Sequence, residues 1–307
     1  MKIEKINYKG WENCFRLSNN KVELIVTTDI GPRIIKFGFI DEKNEFREVP
    51  EHAGLIGGNE WRSYGGHRLW HSPEDKPRTY QPDNQPVNFI ELGDGSFRVS
   101  QPTELLTGIQ KEIDIKISET DSSVEVKHRL INKNQWEVEL AVWALSVMLP
   151  GGIAIIPLPE RRSHLEDLLP SNQLVLWSYT DMSDKRWTWG TKYILLKQKQ
   201  DSGCPQKIGI ADKNNWAAYC NQEHLFVKLF EYNHDKTYPD FGCSAEVFTN
   251  DFMLELETLG TLTKIKPGSS VEHVEKWFLY KNISLPQNDD DVDKFILPLV
   301  NSILYKK

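Results

Sequence analysis

A chain of 307 residues, 39% apolar and 26% charged, with a formal charge of −7, is long enough to bury a large core. It is too acidic to present the basic face that a nucleic-acid partner needs, and it has no Lys/Arg run. No apolar run approaches the roughly 18 to 20 residues that cross a membrane, and residues 1–17 lack the apolar core of a secretory signal, so the expected location is the cytoplasm.

In chain order, Val22-Glu23-Leu24-Ile25-Val26 alternates and is β-branched, and Ile34-Ile35-Lys36-Phe37 follows Gly31-Pro32, which predicts a hairpin or corner over 15–39. Residues 40–86 are rich in Gly, Pro, Asn and Asp and read as a long irregular excursion, the kind of segment that more often carries function than decoration. Strand signals then recur about every ten residues, at 87–90, 96–100, 109–117, 123–131 and 138–148. A short helix is expected over 161–169, ended by Pro170. Further strands are expected at 174–179, 192–197, 207–211, 216–220, 225–231, 243–249, 252–259 and 271–280. This even spacing suits an antiparallel meander or Greek key, so the expected class is all-β. With no linker or shift in composition, residues 1–287 read as one domain. Residues 288–307 read as a helical tail packed on it, capped by Asn288 and the acids after it, and kinked or shortened by Pro298.

Within the excursion, Tyr64-Gly-Gly-His-Arg-Leu-Trp-His-Ser-Pro-Glu crowds two histidines, an arginine, a tryptophan and a carboxylate between glycines and a proline. That composition predicts an irregular, polar site loop. The plainer alternative is a tight turn with a buried Trp70 and two surface imidazoles. His67 and His71 stand four apart, but no helix is expected there to pair them and no third ligand is near in sequence, so no metal is expected. In 251–258 the alternation puts Glu255 and Glu257 on one sheet face and Leu254 and Leu256 on the other. Two acids on a partly dry surface would separate in pKa and make one a general base, whereas on a solvated strand they would be ordinary glutamates. Asp240 sits in a turn from which it could reach the same end of the sheet, though such an Asp often only organises its turn. Phosphate loops, dinucleotide fingerprints and serine nucleophile elbows are absent. The cysteines Cys14, Cys204, Cys220 and Cys243 are expected to be free, mostly buried thiols.

Several motifs taken together, Asp29-Ile-Gly-Pro-Arg-Ile-Ile, Tyr64-Gly-Gly-His-Arg-Leu-Trp, Trp143-Ala-Leu-Ser-Val-Met-Leu-Pro-Gly-Gly, Leu256-Glu-Thr-Leu-Gly, Lys266-Pro-Gly-Ser-Ser-Val-Glu-His and Trp277, resemble the galactose mutarotase-like (aldose 1-epimerase-like) superfamily. They resemble most closely its uncharacterised DUF4380-type branch. The resemblance implies a large antiparallel β-supersandwich with a short C-terminal helix, a sugar on its concave sheet, and isomerase chemistry at an anomeric centre without a cofactor. It implies Glu257 as base and a histidine, His67 or His71, as acid; Glu255, on the same expected face as Glu257, is a further catalytic candidate. His71, Arg68, Trp70, Arg33, Tyr64, Trp143 and Asp240 are the expected substrate-binding residues. The family's second histidine would fall near 143–146, where this chain has none. Two other classes remain open. One is a carbohydrate-binding module using Trp61, Trp70, Trp143, Trp187 and Trp189 as stacking platforms; the other is a lyase or hydrolase acting on a glycan. The expected partner is a carbohydrate, with no nucleic acid and no membrane, and the expected state is a monomer or homodimer.

Overall fold

Alternating and β-branched stretches become strand after strand in the computed structural model, which describes residues 1–305. The last two residues of the expected 288–307 tail lie outside the described residues. In order the strands are β1 (Lys2–Tyr8), β2 (Trp11–Ser18), β3 (Val22–Thr27), β4 (Arg33–Phe39), β5 (His67–Ser72), β6 (Asn88–Glu91), β7 (Phe97–Ser100), β8 (Ile109–Ile117), β9 (Val124–Asn132) and β10 (Val138–Met148). They continue with β11 (Ile153–Pro157), β12 (Leu174–Leu176), β13 (Trp187–Trp189), β14 (Tyr193–Lys197), β15 (Gln206–Ile210), β16 (Trp216–Asn221), β17 (His224–Phe230), β18 (Ala245–Thr249), β19 (Leu254–Leu259), β20 (Thr263–Ile265) and β21 (Ser270–Lys281). One sheet has 11 strands in the order β1-β2-β3-β4-β5-β10-β19-β18-β15-β12, with β20 paired to β10, and the other has 10 in the order β13-β14-β11-β16-β17-β21-β9-β8-β7-β6. Every ladder is antiparallel, so the all-β expectation holds.

The sheets pack face to face. Leu69, Val142, Leu254 and Leu256 of the first meet Val126, Leu130, Phe226 and Trp277 of the second in one apolar core, and each such side chain contributes about 1.5–3 kcal/mol on burial. Part of the outer face of the second sheet is covered by the C-terminal helices α1 (Asp289–Phe295) and α2 (Leu297–Leu304); Val292, Val300 and, between the helices, Ile296 pack on Ile155, Leu195 and Val227. Asn288 caps α1 by accepting from the Asp291 amide at 3.0 Å. Pro298 falls in the first turn of α2, where its missing N–H costs no hydrogen bond, and the expected single helix is accordingly broken at Ile296.

Two expectations are corrected. Residues 161–169 form no helix, only a turn at 164–166 in an exposed segment, because nothing packs against Leu165, Leu168 and Leu169. The run after Gly65-Gly66 is not an irregular loop but a strand, β5, in the middle of the first sheet with all six residues buried. The glycines serve to enter it. Both have positive φ, and a Cβ would lie 2.1 Å from the Arg47 carbonyl oxygen at Gly65 and 2.5 Å from that of Ile34 at Gly66. Pro73 then closes the strand instead of breaking it.

Candidate active site

Because side chains alternate across a strand, β5 sends His67, Leu69 and His71 into the core and Arg68, Trp70 and Ser72 to the outer face of the first sheet. The register carries that outer face across the sheet. Leu145 of β10 pairs with Arg68 on one side and Glu257 on the other, and Glu257 pairs with Glu246 of β18. Glu246 in turn faces Gly209 of β15. Two residue pairs along, Trp143 stands opposite Trp70. Glu255 faces Phe248, which faces Lys207. Trp61, Tyr80 and Val175 pack on this face with Trp70, Trp143, Leu145 and Cys243.

The charged groups interlock. Arg68 Nη2 donates to Glu255 Oε1 at 2.7 Å, and its guanidinium lies 4.4 Å from the Trp70 ring centre and 5.6 Å from that of Trp61. Lys207 Nζ stands 2.7 Å from Glu246 Oε2 and 3.0 Å from Glu257 Oε2, and 4.7 and 4.6 Å from the ring centres of Trp143 and Trp177. Trp143 Nε1 donates to Glu257 Oε2 at 2.8 Å. Burial drives the Glu246 carboxyl well above the usual range; Lys207 opposes this, and the neighbouring Glu257 adds to it. Glu257 is also raised, chiefly by burial and then by Glu255, against Lys207. Burial lowers Lys207, but the two carboxylates outweigh it and hold the ammonium well above its ordinary value. With a proton on Glu246 the face is balanced: Arg68 and Lys207 against Glu255 and Glu257. Its buried polar atoms without a hydrogen-bond partner include Arg68 Nε and Nη1, Trp61 Nε1, Glu257 Oε1 and Glu246 Oε1.

The structure therefore brings Glu255, Glu257, Arg68, Trp70 and Trp143 together, with Asp240 at the rim, where it accepts from Ser72 Oγ at 3.2 Å. It does not bring His67 or His71 to them. Both rings lie on the opposite side of β5, so the pairing of Glu257 with His67 as base and acid is corrected. Arg33 and Tyr64 stand one strand further out. Arg33 Nε donates to Asp83 at 2.7 Å, and the Tyr64 hydroxyl donates to Asn84 at 3.0 Å. Trp187 and Trp189 stack on each other at the edge of the second sheet. Lys207, Glu246, Tyr80 and Trp177 were not anticipated. A lone Lys or Glu inside the short apolar strands 206–210 and 245–249 was the available signal.

His67 belongs to a polar chain inside the core whose proton positions follow from chemistry. The His273 carbonyl can only accept, so His128 Nδ1, 3.1 Å away, carries a proton. Neutral His128 then accepts at Nε2 from His67 Nε2 at 2.7 Å, which leaves His67 Nδ1 to accept from Ser146 Oγ at 2.9 Å. Beside it, Lys228 pairs with Glu275 at 2.9 Å, both fully buried. Trp277 Nε1 and Thr258 Oγ1 also donate to Glu275, and His273 Nε2 donates to Thr258 at 2.8 Å. Ligand atoms of His67, His128 and Glu275 lie within 4.8 Å of one another. Lys228 already neutralises Glu275, however, so a dication would add two uncompensated charges to a dry interior. Burial keeps all three imidazoles below their ordinary value.

No protein-family model matches the chain, and no curated protein matches it in sequence. Solved structures do share its fold. A galactose mutarotase-like protein from Lactobacillus casei ATCC 334 is 8% identical, with 87% of this chain and 100% of that one covered and a TM-score of 0.59. A candidate aldose 1-epimerase from Klebsiella pneumoniae subsp. pneumoniae MGH 78578 is 12% identical, with coverage of 97% and 87% and a TM-score of 0.60. A TPR-domain containing protein from Parabacteroides distasonis ATCC 8503 is 13% identical with a TM-score of 0.56; 89% of this chain aligns, spanning 48% of that longer one. The fold is thus the galactose mutarotase-like β-sandwich. No helix among the described residues is long and apolar enough to cross a membrane.

Proposed function

We propose that this chain is a carbohydrate-active isomerase of the aldose 1-epimerase type, acting on a sugar held against the outer face of the first sheet. The observation that carries the reading is the set of buried, unpartnered polar atoms on Arg68, Glu246 and Glu257. Left unpaired, each costs about 1–3 kcal/mol. A hydroxyl-rich ring supplies partners for all of them and an apolar face for Trp70 and Trp143. The names of solved proteins with this fold support the substrate class, and the order of the short motifs supports the finer placement in the DUF4380-type branch.

Glu257 is assigned as base and Glu246, in place of His67, as acid. The anomeric and ring oxygens are bonded to one carbon, so acid and base must stand within a few ångströms of each other. A directly opposed cross-strand pair meets that requirement, with Cβ atoms about 4.5–5.5 Å apart. Glu257 takes the proton of the anomeric hydroxyl while Glu246 gives its proton to the ring oxygen. The bond between anomeric carbon and ring oxygen breaks as the carbonyl forms. Rotation next to that carbonyl and reclosure on its other face return both protons, so no cofactor is consumed. Lys207 keeps Glu257 ionised, and Arg68 orients the hydroxyls.

The test is a proton NMR time course on freshly dissolved α-glucose and α-galactose. Glu257→Gln and Glu246→Gln should each slow anomer interconversion by about 10²- to 10⁴-fold, whereas folded His67→Gln should retain it. A dead His67→Gln beside an active Glu246→Gln refutes the acid assignment. Sugar binding without any acceleration by the unmodified protein makes it a binding module, and shortened oligosaccharide products make it a lyase or hydrolase.

A further inference from the structure

We propose that the outer-face site continues at its rim into a second subsite, which receives a neutral sugar residue adjoining the one that reacts, so that the preferred substrate is an oligosaccharide. This rests on the carbohydrate reading above and extends it.

A groove of about 570 Å³ lies where the turn after β3, the excursion before and after β5, and the loop between β7 and β8 meet. That volume falls within the ~300–1,000 Å³ of small-molecule sites. Its lining is rich in hydrogen-bonding groups without net charge, with the primary amides of Asn59, Gln81, Gln85 and Gln101 and the hydroxyl of Thr103. The two carboxylates that also line it are already neutralised: Asp83 by Arg33 at 2.7 Å, and Glu104 by Lys111 at 2.5 Å. Gln101 is only 5% exposed. Its Nε2 donates to Glu104 at 3.2 Å, yet its Oε1 has no partner. A buried amide oxygen of this kind requires a donor. A ligand that donates and accepts at many points and carries no charge is a polyhydroxylated ring, not an anion or a peptide terminus.

The groove adjoins the reaction site through the chain itself. Asn59 precedes Trp61 by two residues, and Gln81 directly follows Tyr80. Trp61 and Tyr80 pack edge to face at 5.5 Å, both against Trp70. That aromatic wall bounds the Arg68 face, and the groove lining begins one and two residues from it along the chain, at Gln81 and Asn59. Beneath it Arg33, which anchors Asp83 in the groove lining, is the register partner of Arg68. A linear glycan with its terminal ring over Arg68 and Glu257 would cross the indole of Trp61 and reach the amides.

The experiment is calorimetric titration of the full chain with glucose and galactose and with maltotriose, cellotriose and β-1,4-galactotriose. At least one trisaccharide should bind about tenfold or more tightly than its own monosaccharide. The Gln81→Ala/Gln101→Ala double variant should cut that advantage to about twofold while monosaccharide affinity and Tm stay unchanged; Gln81→Ala alone, at a half-buried position, gives the same readout if the double variant does not fold. Equal affinity for monosaccharide and trisaccharide, or a length advantage that survives the substitutions, overturns the subsite and leaves the reaction site standing. Binding of no sugar at any length overturns both.

Discussion

Placing His273 in the dry core makes its proton a measurable part of folding. Burial, only partly opposed by Glu275, holds this imidazole at about 3, whereas in the unfolded chain it titrates near 6.5. Its folded value is depressed, so between these two values the unfolded state binds a proton that the folded state does not. Stability is lost as pH falls through 6.5 and onward towards 3. Between pH 7 and pH 5.5 the linkage integral for one such histidine is about 1 kcal/mol. Replacing it with glutamine removes that term. At pH 7 the His273→Gln variant should be less stable than the unmodified protein, through weaker bonding to Thr258, but the gap should narrow by about 1 kcal/mol on acidification to pH 5.5. Urea denaturation of both proteins at the two pH values, with m-values checked for constancy, reads this double difference directly and cancels every other titrating group to first order. A gap that stays constant or widens on acidification would mean that the imidazole is solvated or charged in the fold, and the placement of this cluster between the sheets would be wrong.

Glu246 has the opposite sign of effect, because an acid held above its unfolded value favours folding only while it is protonated. Relative to Glu246→Gln, the unmodified protein should lose stability as pH rises from the ordinary carboxylate range towards neutrality, and a Tm difference that does not vary from pH 5 to pH 8 contradicts the shared-proton face. Lys228→Met leaves the Glu275 carboxylate buried without its counter-ion and should cost about 3–5 kcal/mol. The double replacement Lys228→Met/Glu275→Leu should recover much of that loss in thermal denaturation, and failure to recover would show that the Trp277 and Thr258 contacts, not the charge pair, dominate.

Legibility from sequence followed the range of the interactions. Local periodicity was enough for Glu255 and Glu257 to share a face opposite Leu254 and Leu256, and for an all-β chain in which Pro298 interrupts the C-terminal helical stretch, because a two-residue repeat and a missing N–H are properties of the backbone itself. At 64–74 the punctuation was visible and its meaning was not. Glycine and proline bound a strand as readily as they break one, and only the close approach of the Arg47 and Ile34 carbonyls, which come from another part of the chain, distinguishes the two cases. Once 67–72 is a strand, parity alone separates His67 from Arg68, so two neighbours in sequence meet different surroundings: one a dry core of histidines, the other the charged and aromatic outer face of the first sheet. The partners that make Glu257 an acid–base candidate, Lys207 and Glu246, arrive through the pairings β19-β18-β15, which bring together residues up to 50 positions apart. Nothing local specifies such a register. It is settled by which apolar faces must meet across the sandwich, and that is a property of the whole packed chain.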